Sequence, residues 1–168
     1  FGICVATTAH VEDDGIVALA NRLGVLWYRN AIHDDVFGQG KNDVLGRYLG
    51  AAASMQADIV VRITADCPLV FPDVIDKTVR SLGQDHDMAS TSAKIWRWDG
   101  PHAVMDRRYP RGLDVAAMHM GPLERMGRMA KSHKAREHVT WYAYGERPEL
   151  FVVHHVRHPL NMGEHSWT

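Results

Sequence analysis

Short β-prone segments alternate with amphipathic helical segments along most of the chain, and this alternation constrains the fold more than any other feature. The clearest strand is predicted over 58–64. The other predicted strands cover 3–6, 25–28, 87–91, 113–118 and 151–156. The predicted helices cover 11–23, 44–55, 72–82, 122–131 and 135–144. The first begins with the acidic residues 12–14, Asn42 or Asp43 can cap the second, and Pro72 lies in the first turn of the third. The irregular segment 96–112 is predicted to be a long loop or a hairpin. Strands and helices in this order predict an α/β fold with a mostly parallel sheet.

Composition narrows the class of protein further. The chain has 168 residues, of which 46% are apolar, and this length and content fit one globular domain. Lysine and arginine number 19 against 20 acidic residues, so the net charge excludes a general nucleic-acid or anionic-membrane binder. The apolar runs are only a few residues long, which excludes a membrane span. Two cysteines are too few for a disulfide framework and predict free thiols in a reducing, cytoplasmic compartment.

The segment 58–69 carries the most chemical information. Side chains alternate between the two faces of a strand, so Arg62, Thr64 and Asp66 share one face that becomes more polar toward the carboxyl end. Open α/β sheets bind their ligands at the carboxyl ends of strands. A single carboxylate there suits Mg²⁺, which takes oxygen ligands and keeps few of them from protein. A local ion pair between Arg62 and Asp66 is the alternative interpretation, and spacing alone leaves both open.

Several motifs together resemble the cytidylyltransferases that activate acidic sugars. That family includes the acylneuraminate and CMP-Kdo synthetases and, most similar here, the SpsF-like spore coat polysaccharide biosynthesis proteins. The matching segments, in chain order, are Cys4-Val5-Ala6-Thr7-Thr8, Val36-Phe37-Gly38, Asp43-Val44-Leu45-Gly46-Arg47-Tyr48, Arg62-Ile63-Thr64-Ala65-Asp66-Cys67-Pro68, Tyr109-Pro110-Arg111-Gly112-Leu113-Asp114-Val115, Arg136-Glu137-His138-Val139-Thr140 and Trp167-Thr168.

The resemblance implies a nucleotide-diphosphosugar-transferase-like, three-layer αβα fold and the transfer of CMP from CTP to a sugar with release of pyrophosphate, for surface polysaccharide synthesis. It implies that Asp66 holds Mg²⁺ and that Arg62 positions Asp66. The substrate-binding candidates that it implies are Arg111, Gly112, Asp114, Arg136, Glu137, His138, Asp43 and Arg47. Within that set, Arg111, Arg136 and His138 would face an acidic sugar or a phosphate, and Asp114 would accept hydrogen bonds from sugar hydroxyls. A homodimer is expected from the family alone.

The sequence also departs from the family pattern. The family opens with a glycine- and arginine-rich phosphate loop of a βα unit, about 30 residues long, and nothing in this chain matches it. A second metal-binding aspartate is expected just after Thr168. The connection between Val25 and Val36 is longer than in the SpsF-like proteins. We therefore expect 1–168 to be a single cytidylyltransferase-like domain that lacks its N-terminal βα unit and its C-terminal end.

Other features leave alternatives open. His154, His155 and His158 suggest a metal site, but on a strand His154 and His158 lie about 13 Å apart, too far to share an ion. Surface histidines are therefore the simpler interpretation of all three. Cys67 is read as a packed thiol instead of a nucleophile, because no base lies near it in sequence. The cationic cluster of Arg107, Arg108 and Arg111 is either a solvated loop or an anion-binding loop. Trp96 and Trp98 would stack on a base or cover an interface, and His138 is either a ligand contact or a helix residue bonded to a loop.

Two further functions compete with the first. One is a glycosyltransferase of the same general fold that consumes a nucleotide-sugar. That class shows Asp-x-Asp at its metal, whereas this chain has Asp66-Cys67-Pro68. The other is a non-catalytic domain that kept the fold and lost the site.

Overall fold

The computed structural model describes residues 2–30, 43–92, 96–99, 102–105 and 107–168. Over 96–99 and 102–105 the description is limited to the backbone. The chain divides into two compact units, Phe1–Asp58 with Leu123–Tyr142, and Ile59–Pro122 with Ala143–Thr168. The prediction of a single domain that lacks its first βα unit and its C-terminal end stays a prediction.

The first unit is built on a parallel pair of strands, β1 (Cys4–Thr8) and β2 (Leu26–Asn30). Helix α1 (Asp14–Leu23) connects them and ends at Gly24, whose φ of 66° is the left-handed conformation that glycine adopts without strain. Helix α2 (Val44–Ser54) packs against both strands and against α5 (His133–Glu137). Helix α4 spans Met120–Met129, and its residues from Leu123 onward belong to this unit.

The second unit contains a four-stranded sheet in the order β3-β7-β4-β8. Its strands are β3 (Ile59–Arg62), β4 (Met88–Ser90), β7 (Ala116–His119) and β8 (Val153–His155). Strands β3, β4 and β8 run in one direction, and β7 runs antiparallel to both of its neighbours. Helix α3 (Pro72–Arg80) packs against this sheet with Pro72 in its first turn. One cluster of buried side chains in this unit contains Val74, Ala89, Tyr109, Leu113, Val115 and Val156.

Two short strands, β5 (Trp96–Asp99) and β6 (His102–Met105), pair as an antiparallel hairpin. This confirms the hairpin interpretation of 96–112. The α/β class is confirmed as well, but the four-stranded sheet is mixed, because the segment predicted over 113–118 enters it as the antiparallel strand β7.

The single helix predicted over 135–144 is wrong. Helix α5 ends at Glu137, and His138 leaves helical geometry with a ψ of 48°. The amide of Trp141 then donates to the carbonyl of His138, which closes a turn before the short π-helical segment Tyr142–Glu146. Within the described residues, no helix has the length and the apolar character needed to cross a bilayer.

Candidate functional site

The carboxyl ends of the parallel strands in the second unit define one edge of its sheet. Arg62 ends β3, Ser90 ends β4, and both pair with Ala116, the first residue of β7; His155 pairs with Ser90. Four segments therefore emerge at the same edge of this sheet: those that follow β3, β4 and β8, and the one that precedes β7. We call these segments the carboxyl edge. Ligands of open α/β sheets bind at such an edge.

Asp66 lies at the carboxyl edge in a tight turn that follows β3. The amide of Cys67 donates to the carbonyl of Thr64 at 3.0 Å, and the amide of Val70 donates to the carbonyl of Cys67 at 3.2 Å. A hydrogen bond from the Thr64 side chain is the main cause that lowers the pKa of Asp66, and the Cys67 thiol, 3.7 Å from Asp66 Oδ1, acts in the same direction. Asp66 is exposed, so an ionised carboxylate is presented to solvent.

Arg62 is half-buried at the end of β3. Its Nε atom is buried and has no hydrogen-bond partner among the described residues. No ion pair joins Arg62 to Asp66 in the described part of the chain, and the positive charge of Arg62 is only a minor cause of the low pKa of Asp66. The local ion pair that sequence spacing left open is therefore not formed.

The single exposed carboxylate of Asp66 fits a Mg²⁺ ion that is also coordinated by the phosphates of a substrate. Such ions use one or two protein carboxylates and take their other ligands from water and phosphate. Within the described residues, no group of three His, Cys, Asp or Glu side chains is placed to hold a metal ion by itself. Asp66 would hold the ion through its exposed carboxylate, and the remaining ligands would come from the substrate.

The loop 107–114 brings three further candidates to the carboxyl edge. Arg111 is exposed, whereas Gly112 is buried with a φ of 94°. A Cβ on Gly112 would lie 2.6 Å from the carbonyl oxygen of Trp167, so only glycine fits there. Asp114 is half-buried, and its Oδ1 atom accepts a hydrogen bond from Arg107 at 2.5 Å.

The other five candidates lie in the first unit. Asp43 caps α2, since its Oδ1 accepts from the amide of Gly46 at 2.9 Å, and its Oδ2 pairs with Arg136 at 2.5 Å. A second nitrogen of Arg136 donates to the carbonyl of Gly127 at 3.1 Å, and the Asp43 and Arg136 side chains are 3% and 4% exposed. The pair is thus a buried structural contact between α2, α4 and α5. A role of these two residues in substrate binding stays a prediction.

Arg47 lies one turn further along α2 and is half-buried. Burial is the main cause that lowers the pKa of its guanidinium, and the negative charges of Asp43 and Asp13 oppose that shift. Glu137 and His138 are exposed at the end of α5. The structure thus brings Arg62, Asp66, Arg111, Gly112 and Asp114 to the second unit, and Asp43, Arg47, Arg136, Glu137 and His138 to the first.

Sequence reasoning missed a polar cluster at the carboxyl end of β1. Asp13 Oδ2 accepts hydrogen bonds from the Thr7 hydroxyl at 2.6 Å, the Thr8 amide at 3.0 Å and the Thr8 hydroxyl at 2.5 Å. The two hydroxyls are the largest causes that lower the pKa of Asp13 to about 2. The sequence signal was incomplete: the acidic residues at the helix start and the paired threonines were each visible, but nothing local joined them.

The remaining features are placed as follows. His154 packs its ring on His86 with centroids 4.9 Å apart, and His158 contacts Tyr109 edge-on. His155 is buried, so the interpretation of 154–158 as surface histidines fails at that position. Cys67 is buried, as a packed thiol requires. Val36-Phe37-Gly38, most of the connection between Val25 and Val36, and the side chains of Trp96 and Trp98 lie outside the described residues.

The chain is similar to known proteins in sequence and in fold. No protein-family model matches the chain. An uncharacterized protein of Methanocaldococcus jannaschii is 36% identical over 158 residues, which are 94% of this chain and 55% of the relative. The solved structure of a cytidylyltransferase from Leptospira borgpetersenii serovar Hardjo-bovis superposes with a TM-score of 0.78 at 25% identity, covering 97% of this chain and 60% of that chain. The fold is therefore nucleotidyltransferase-like, and the chain spans little more than half of the length of either protein.

Proposed function

We propose that this chain is the nucleotide-transferring part of a Mg²⁺-dependent cytidylyltransferase of the SpsF-like type. It would act in the cytoplasm and transfer CMP from CTP to an acidic sugar for surface polysaccharide synthesis. The observation that carries the proposal is Asp66, an exposed and ionised carboxylate at the carboxyl edge of a sheet whose fold is similar to that of a solved cytidylyltransferase.

The reaction balances as one displacement at phosphorus. The oxygen of a sugar hydroxyl attacks the α-phosphorus of CTP, and the bond from that phosphorus to its bridging oxygen breaks. Pyrophosphate leaves, and the hydroxyl proton passes to solvent. Catalysis of such a transfer rests on positioning and on charge stabilisation. Mg²⁺, when bound, would supply positive charge to stabilise the phosphate oxygens.

The residues of the second unit would divide this work. Asp66 would hold the cation, and Arg62, at the end of β3, would position Asp66 through its positive charge. Arg111 is exposed and would bind the carboxylate of the sugar, for which a planar guanidinium is well suited. Asp114 would accept hydrogen bonds from sugar hydroxyls.

The test is pyrophosphate release by the full-length gene product with CTP, Mg²⁺ and a panel of acidic sugars. We expect release to fall at least 100-fold in Asp66→Asn and to stay within 2-fold in Asp85→Asn, an exposed aspartate before β4 at the opposite edge of the sheet. EDTA should abolish the release and added Mg²⁺ should restore it. Equal rates with ATP, GTP and UTP would refute the cytidylyl specificity.

Two other outcomes would replace the proposal. Sugar transfer from a nucleotide-sugar without pyrophosphate release would favour a glycosyltransferase. Failure of calorimetry to detect any binding of CTP would favour a non-catalytic domain.

A further inference from the structure

Arg107 faces the interior of the loop 107–114 instead of solvent. Its Nε donates to the carbonyl of Tyr109 at 2.9 Å, and its Nη2 donates to the carbonyl of Pro110 at 2.9 Å. The same Nη2 pairs with Asp114 Oδ1 at 2.5 Å. The side chain is 16% exposed. Among the three arginines of the cationic cluster, Arg107 is therefore committed to acceptors within the loop, and it is not a free cation for a substrate anion.

The C-terminal segment, residues 162–168, also binds the loop 107–114 through backbone hydrogen bonds. The amide of Met162 donates to the carbonyl of Arg108, and the amide of Trp167 donates to the carbonyl of Arg111 at 2.7 Å. The amide of Arg111 donates in turn to the carbonyl of His165 at 3.0 Å. Both backbone groups of Arg111 are thus occupied, while its side chain is exposed.

Two glycines allow the loop and the C-terminal segment to approach each other closely. A Cβ on Gly163 would lie 2.0 Å from the carbonyl oxygen of Arg107, and the Gly112 position is blocked by Trp167 in the same way. The backbone of the loop can therefore approach the C-terminal segment only at glycine. Held from both sides, the loop presents Arg111 and Asp114 in a fixed relation.

We infer that Arg107 is the positioning residue of the sugar-binding loop, a role that rests on the function proposed above. Its guanidinium fixes the backbone turn that orients Arg111. It also neutralises the carboxylate of Asp114, which would otherwise repel an anionic sugar. The bond from Arg107 uses Oδ1 of Asp114, and Oδ2 would accept from a sugar hydroxyl.

The side chains of Arg111 and Asp114 indicate the chemistry of the ligand. An exposed guanidinium and a charge-balanced carboxylate on the same loop fit a sugar that carries both a carboxylate and hydroxyl groups. A neutral sugar would gain the contact with Asp114 alone. The loop should therefore discriminate in favour of the acidic sugar, and this discrimination should depend on Arg107.

The test compares Arg107→Lys with Arg80→Lys, a substitution of an exposed arginine in α3, in the full-length protein. An ammonium keeps the charge but does not reproduce the planar fork that reaches two carbonyls and a carboxylate together. We expect Arg107→Lys to raise the KM for the acidic sugar about 10-fold, with the KM for CTP and the kcat within 2-fold. Arg80→Lys should change none of the three. Equal increases in both KM values, or no increase in either, would overturn the inference.

A second readout does not depend on activity. Arg107→Lys should accelerate hydrogen exchange at the amides of Arg111 and Leu113 at least 10-fold, and exchange in β4 should not change. If the wild type releases no pyrophosphate, the proposed function fails, and faster exchange alone would still assign the loop-ordering role to Arg107. Unchanged exchange at both amides would refute that role.

Discussion

The buried pair of Asp43 and Arg136 allows the sharpest prediction about stability. Asp43 uses its two carboxylate oxygens separately, one to cap α2 at Gly46 and one to pair with Arg136. Asp43→Asn keeps an oxygen for the cap but removes the negative charge that pairs with Arg136, whose side chain is 4% exposed. Breaking one side of a buried pair costs about 3 kcal/mol. In a chain of 168 residues this lowers the Tm by roughly 6–12 °C.

The double variant separates this explanation from simple loss of packing. Arg136→Met should also cost about 3 kcal/mol, because it leaves the Asp43 carboxylate buried without its partner. Asp43→Asn with Arg136→Met lacks both charges of the pair, and a well-packed apolar replacement is often nearly neutral. We therefore expect the double variant to be more stable than either single variant.

The assay is urea unfolding at pH 7, followed by circular dichroism, with the free energy of unfolding extrapolated to water. Glu124→Gln is the matched control, since it removes an exposed i,i+4 partner of Arg128 at 3.8 Å and should change stability by less than about 0.5 kcal/mol. Additive losses in the double variant would refute the reasoning, because they would show that the two charges do not compensate each other.

Three further predictions follow from local geometry. Gly112→Ala should lower the free energy of unfolding by about 2–3 kcal/mol, since it adds a Cβ at a φ of 94° against Trp167. In the same urea assay the control Gly121→Ala, whose Cβ has open space, should be neutral or stabilising by up to about 1 kcal/mol. Asp13→Asn should lower the free energy of unfolding by about 1 kcal/mol above pH 4, a figure that allows for solvent screening. Because the pKa of Asp13 is lowered to about 2, the difference between wild type and variant should disappear as the pH of the urea assay falls toward 2. Thr64→Val should raise the pKa of Asp66 toward its ordinary value, and Thr64→Ser should not, as measured by ¹³C NMR of labelled aspartate; equal pKa values in the two variants would exclude the hydroxyl as the cause.

Local signals predicted the elements well. Asn42 or Asp43 was predicted to cap a helix, and Asp43 caps α2; Pro72 was predicted in the first turn of a helix and begins α3. Strand β3 lies inside the predicted segment 58–64. Caps, proline positions and hydrophobic periodicity act over a few residues, so a single sequence carries them.

Long-range pairing was not predictable in the same way. The direction of β7 depends on its hydrogen bonds with β3 and β4, and nothing within 113–119 encodes that direction. The ion pair of Asp43 and Arg136 joins residues 93 positions apart. Motif resemblance marked both residues as candidates, but only the structure shows that they bind each other.

The arginines show why motif residues differ in role even when their side chains are the same. A guanidinium has five N–H donors and no acceptor, so each donor bonded within the protein is unavailable to a ligand. Arg107 and Arg136 donate to backbone carbonyls and to a buried or half-buried carboxylate, and a substrate would have to break those bonds to bind either one. Arg111 is exposed, with its backbone fixed by the C-terminal segment. Substitution of Arg107 or Arg136 should therefore act through the shape or stability of the chain, and an anionic substrate is expected to meet Arg111 first.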